Sequence, residues 1–106
     1  MPVNATKETL KKLTATGTVV VDFWAPWCGP CKVLDPILTA LESELSGLTV
    51  VRYNVETDAS LPQSLGIMAV PTMVVYQWGQ PKEKVSGVYT KEKLKRYFEK
   101  KLEATR

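Results

Sequence analysis

The run Val19-Val20-Val21-Asp22-Phe23-Trp24-Ala25-Pro26-Trp27-Cys28-Gly29-Pro30-Cys31-Lys32 decides how the chain is read. Its first half is β-branched and aromatic with one charge inside it, the pattern of a central strand buried on both faces. Pro26 and Gly29-Pro30 break that strand, and a long helix is predicted from about residue 30 to residue 45. Pro30 suits the first helical turn, where its missing N–H costs nothing. The two cysteines therefore fall where a buried strand gives way to a helix. There the backbone N–H groups lack intrahelical partners and the helix dipole is positive, so a thiolate is stabilised and its pKa falls.

Working outward, Asn4 or Thr6 can cap a first helix reaching about Thr14, with Leu10 and Leu13 on its inner face, and Gly17 ends that element. Residues 1–3 are too few to assign a strand. Beyond the central helix, which carries Pro36 and is expected to kink there, Gly47 leads into a second buried strand over residues 48–55. Thr57 or Asp58 can cap a short helix ending near Gly66. Strands over residues 72–76 and 82–86 bracket the turn Trp78-Gly79-Gln80-Pro81, and a last helix follows Thr90. The order α, β, α, β, α, β, β, α places parallel crossovers first and an antiparallel hairpin last. The expected fold is α/β: a central mixed sheet of four to five strands flanked by four helices on both faces.

At 106 residues and 44% apolar, the chain suits one domain, residues 1–106, with a real core. The opening MPVNATKETLKK lacks the apolar core of a secretory signal, and the apolar stretches fall far short of a membrane span. The expected setting is a reducing cytoplasm, with no membrane association. Of the net charge of +3, residues 90–106 supply +4, from seven Lys/Arg against three Asp/Glu, and the rest of the chain sums to −1. Leu94, Tyr97, Phe98 and Leu102 interleave with these basic residues at helical spacing, so the aromatics are needed for packing. A solvated basic helix face is expected rather than a nucleic-acid patch.

Cys28 and Cys31 are the only cysteines, and so short a loop makes a poor structural staple but a good reactive pair. Zinc needs about four ligands, and the chain offers two cysteines and no histidine, so no metal is expected. An iron–sulfur cluster would also need further cysteines. Cys28, at the helix mouth, is the expected nucleophile and the exposed attacker; Cys31, one turn further in, is the shielded resolving thiol. Cys28 attacks a disulfide, and Cys31 then attacks Cys28 to release the reduced product.

The stretch from Val21 to Lys32 closely resembles the active-site stretch of thioredoxins. The likeness continues through Pro36, Gly66-Ile67-Met68-Ala69-Val70-Pro71-Thr72, Gly79 and Gly87 and covers nearly the whole chain. The resemblance implies the thioredoxin fold and protein-disulfide reduction in electron transport and cell redox homeostasis. It also implies that disulfide-containing client proteins are the substrates, and that an NADPH-dependent flavoprotein, thioredoxin reductase, recycles the oxidised form. The chain carries no nucleotide fingerprint, so no cofactor is expected to be bound and NADPH would be used only by that partner. Isomerases and strong oxidases similar to thioredoxins usually carry a His between the cysteines; Gly29-Pro30 places the resemblance with the reducing branch. Two other functions stay open at this point: a binding module whose apolar surface outweighs its redox chemistry, and an oxidase or isomerase. A monomer is expected.

Asp22 interrupts a buried strand, where a charge is costly. It reads either as a satisfied structural acid or, by the resemblance, as proton acceptor for Cys31, with burial raising its pKa. Arg52 stands where thioredoxins commonly carry lysine; it is either a fixed charge near Asp22 or a side chain snorkelling to solvent. Asp35 lies one turn beyond Cys31; it can act on that thiol or stand as a solvated surface acid. The resemblance makes the Val70-Pro71 bond cis and packs it against the cysteines. Trp27, Gly29, Pro30, Ala69, Val70, Pro71, Gly87 and Val88 would then form a flat, mostly apolar docking surface. Trp24 reads as packing, and Trp78 has no family role.

Overall fold

The computed structural model describes residues 2–104; Met1, Thr105 and Arg106, at the outer ends of the expected first and last elements, lie outside the described residues. Five strands form one sheet: β1 (Val3–Ala5), β2 (Thr18–Trp24), β3 (Leu48–Asn54), β4 (Thr72–Gln77) and β5 (Gln80–Ser86), in the order β1-β3-β2-β4-β5. The first three strands are parallel, β4 runs antiparallel to β2, and β5 antiparallel to β4. Four helices complete the chain: α1 (Leu10–Leu13), α2 (Gly29–Glu44), α3 (Ser60–Ser64) and α4 (Lys91–Ala104). The expected mixed sheet between helices is what forms.

The apolar run of β2 is central because both of its faces have something to bury. Alternate side chains of a strand point to opposite faces. Val20 joins Leu34, Leu38 and Leu41 of α2 and Leu94 and Phe98 of α4 in one core. Val19, Val21 and Phe23 join Leu10 of α1, with Leu61 of α3 and Leu65 just beyond it packed against them, in the other. Each fully buried Val, Leu or Phe side chain contributes about 1.5–3 kcal/mol of transfer free energy. Asp22 shares the parity of Val20, so it points into the α2–α4 side, where Arg52 is its cross-strand neighbour on β3.

Three local expectations shift. Asn4 and Thr6 do not cap a first helix: Asn4 pairs with Arg52 in β1, and Thr6 enters a turn closed by its N–H on Thr9 Oγ1 at 2.9 Å. Helix α1 is therefore a single turn beginning at Leu10. Before α3, Asp58 rather than Thr57 takes an orphan donor, its Oδ1 accepting the Ser60 N–H at 2.8 Å, while the Thr57 hydroxyl donates to Asn54. The hairpin turn has two residues, not four. Trp78 (φ 51°) and Gly79 (φ 82°) are both left-handed, the backbone of the type I′ turns that match strand twist, and Pro81 sits in β5, an edge strand that tolerates it.

Helix α2 continues through Pro36, which leaves the Lys32 carbonyl without its intrahelical donor at an exposed position. Helix α4 buries Leu94 and Phe98 and packs Tyr97 and Leu102, as its spacing predicts. Part of its basic face is paired within the chain: Lys91 and Lys95 with Glu44, and Lys101 with Glu83. No helix among the described residues is long and apolar enough to cross a membrane.

Candidate active site

Cys28 is the N-cap of α2, in extended conformation, and Gly29 and Pro30 open the helix as exposed residues. Its Sγ accepts the backbone N–H of Cys31 at 3.2 Å. That N–H is one of the orphan donors of the first turn, aimed by the helix at the sulfur. Cys28 and Cys31 are joined as a disulfide, with Cα atoms 5.3 Å apart. The expected contrast in exposure is absent, since each cysteine is only 3% exposed. In the bonded form both sulfurs sit in one small apolar cluster with Ala25, against Trp24, Val55 and Val70. What distinguishes the two is position: Cys28 caps the helix, and Cys31 lies inside its first turn.

The Val70-Pro71 bond is cis, as the resemblance implies. The loop that carries it is pinned from both sides. The Thr72 hydroxyl donates to Ala69 carbonyl oxygen at 2.7 Å and contacts Ser86 Oγ at 3.0 Å, and the Gly87 N–H donates to the Pro71 carbonyl at 3.0 Å. Gly87 needs its left-handed φ of 96° to make that approach. Val88 is at the edge of exposure beside it. On the other side, Trp27 is 70% exposed, its indole N–H held by Glu56 Oε2 at 2.7 Å. Pro71 itself is buried, so the exposed apolar surface comes from its neighbours. Trp27, Val55, Ile67, Met68, Ala69 and Val70 line a groove of about 200 Å³.

Met68 and Glu56 were not among the residues expected from sequence. Met68 is 97% exposed, the most open large apolar side chain among the described residues. The signal was an apolar residue between Gly66 and Pro71, where turn residues hold the backbone off the core. Glu56 has no such signal, because only the fold brings it to Trp27.

Asp22 is fully buried, and neither carboxylate oxygen has a hydrogen-bond partner among the described residues. Burial without a partner penalises the charged form and raises its pKa from 3.8 to about 7; Arg52 opposes the rise and Asp35 adds to it. Arg52 does not bond Asp22. Its Nε lies 3.1 Å from Asp35 Oδ1, an ion pair too bent to be a hydrogen bond, and its guanidinium covers the Trp24 ring at 4.5 Å. Asp35 is thus no free surface acid; α2 and β3 bring it to Arg52. Trp24 is half-buried packing, as expected, and Trp78 is 61% exposed at the hairpin. No three His, Cys, Asp or Glu side chains among the described residues gather as a metal-binding group.

Comparison with known proteins agrees with this geometry. The family model described as Thioredoxin matches residues 2–100. A thioredoxin of Bacillus subtilis is 37% identical over 101 residues, covering 94% of this chain and 97% of that protein. A bifunctional thioredoxin reductase/thioredoxin of Mycobacterium leprae is 39% identical over 85 residues, covering 79% of this chain and 19% of that protein. Among solved structures, a mutant thioredoxin from Halobacterium salinarum superposes with a TM-score of 0.88 at 30% identity, covering 95% of this chain and 90% of that one. A cysteine pair bonded across the first turn of a helix, beside a cis-proline loop, is the working part of a thiol-disulfide oxidoreductase, and the chain belongs to the thioredoxin family.

Proposed function

We propose that this protein, a single domain, reduces disulfides in client proteins through unequal roles of its two cysteines. The observation that carries the reading is the Cys31 N–H donated to Cys28 Sγ at the N-terminus of α2. A donor and a helix dipole aimed at that sulfur stabilise its thiolate, so Cys28 is the nucleophile. Cys28 attacks a client disulfide, forming one mixed disulfide and releasing one client thiol. Cys31 then loses its proton to Asp22, attacks Cys28 Sγ, and expels the second client sulfur. Two electrons pass to the client, and the Cys28–Cys31 disulfide is left behind.

Re-reduction falls to an NADPH-dependent thioredoxin reductase, a partner supported by the fused relative in Mycobacterium leprae. The chain is then a monomeric electron carrier with no resident cofactor, working in the cytoplasm where NADPH supplies the electrons. Clients dock on Trp27, Gly29, Pro30, Ala69, Val70, Pro71, Gly87 and Val88, the apolar surface beside the cysteines. Arg52 and Asp35 tune Asp22 from behind.

The test is reduction of insulin disulfides with NADPH and a thioredoxin reductase. The protein accelerates it and Cys28→Ser abolishes it; equal activity of that variant would refute the redox reading in favour of a binding module. A strongly oxidising potential measured against glutathione would point instead to an oxidase.

A further inference from the structure

Two of the three methionines lie among the described residues, and their surroundings are opposite. Met73 is 0% exposed in the α2–α4 core, whereas Met68 is 97% exposed. Met68 stands on the loop that leads to the cis-proline, on the wall of the groove it shares with Trp27, Val55, Ile67, Ala69 and Val70. Val70, its neighbour on that wall, packs directly against the cysteine cluster. A client segment close enough to present its disulfide to Cys28 passes over this groove, and apolar walls favour an apolar segment. A thioether is soft and polarisable and fits such segments without demanding one shape. It is also the one group in the groove that a mild oxidant can convert to a polar one.

We propose that Met68 is an oxidation site through which peroxide weakens client docking while leaving the cysteine pair intact. In the step, the Met68 sulfur attacks one oxygen of hydrogen peroxide and the O–O bond breaks. The thioether is oxidised by two electrons to the sulfoxide, and the peroxide is reduced to water. The new S=O dipole then stands where apolar contact is made, so docking either desolvates it without a partner or leaves the groove partly unfilled. The disulfide form is the one exposed to this chemistry without competition, because its sulfurs are already bonded to each other. This inference rests on the client-docking reading above.

The experiment treats the purified disulfide form with hydrogen peroxide, removes the oxidant, and maps added oxygen by peptide mass spectrometry. One oxygen is expected on the Met68 peptide and none on the Met73 peptide. Reduction of the treated protein by dithiothreitol, which needs no docking, keeps its rate. Reduction of insulin under limiting client falls at least about fivefold, since an unpartnered polar group at an apolar contact costs about 1 kcal/mol or more and about 1.4 kcal/mol is tenfold. Met68→Leu, compared with itself before and after treatment, shows no loss of insulin reduction on exposure to peroxide. An oxidised Met68 with an unchanged insulin rate would overturn the proposal, as would a peroxide loss that persists in Met68→Leu. Failure of the untreated protein to reduce insulin would instead bring down the reductase reading, and this inference with it.

Discussion

Arg52 is the parallel-strand neighbour of Asp22, yet its guanidinium turns to Asp35 and the Trp24 ring instead of bonding the buried acid. The acid therefore feels a nearby positive charge already half-answered by another carboxylate. Burial wins, and its pKa rises to about 7.

Removing either member of the outer pair shifts that balance in opposite directions. Arg52→Met takes away the opposing charge and raises the pKa of Asp22; Asp35→Asn takes away a like charge and lowers it. The Arg52 change is the larger, since its charge is the stronger of the two influences. Carbon-13 titration of the Asp22 carboxyl checks both signs, and a matching shift for the two variants would rule the arrangement out.

Asp22 links stability to pH with a definite sign. Its folded pKa lies above the unfolded one, so the folded state holds its proton longer and stability falls as pH rises between about 4 and about 7. Above that window the charged, unpartnered carboxylate costs roughly 4 kcal/mol, from about three pKa units at 1.36 kcal/mol each. Asp22→Asn is expected to be more stable by up to that amount near pH 8, with the gain vanishing near pH 4. Urea denaturation at the two pH values measures it.

The same substitution removes the proton acceptor proposed for Cys31. Release of the mixed disulfide slows by at least about tenfold near neutral pH. In the unmodified protein that rate rises with pH through about 7 and levels off, and the inflection is missing in Asp22→Asn. Stopped-flow reduction across pH reads both effects.

Cys31→Ser leaves the nucleophile and removes the resolving sulfur. A client mixed disulfide through Cys28 should accumulate close to stoichiometrically and persist on non-reducing gels. With the reverse variant, Cys28→Ser, none should form by this route; equal trapping by both would mean that the roles are not divided.

Trp78 occupies the first left-handed position of the hairpin turn, which disfavours a bulky side chain with a Cβ. Trp78→Asn supplies the residue that type I′ turns prefer and should stabilise by about 0.5–1 kcal/mol, a rise of a few degrees in Tm. A drop would show that the indole packs in a way that outweighs the backbone.

What was legible in the sequence is what local pattern controls. Residues 19–23 announce a two-sided strand because all but Asp22 are apolar, and Cys28-Gly29-Pro30-Cys31 announces a helix start with a reactive pair. The spacing of Leu94, Phe98 and Leu102 gave the inner face of α4. The residues that escaped are those whose environment comes from register. Asp35 looks solvated until α2 packs on β3 and brings it to Arg52. Asn4 looks like a helix cap until β1 claims it against Arg52. The equal burial of Cys28 and Cys31 was hidden for another reason: Val55 and Val70, which cover them, lie far along the chain.

Because β4 runs back alongside β2, the sheet has a working end and a blind end. Phe23 pairs with Thr72 beside the cysteines, and Thr18 pairs with Gln77 just before the hairpin turn. A strand of this length spans about 20 Å. Trp78-Gly79 is thus a natural attachment point: a tether to an electrode, a fluorophore, or a fused protein inserted there would leave the redox end unobstructed.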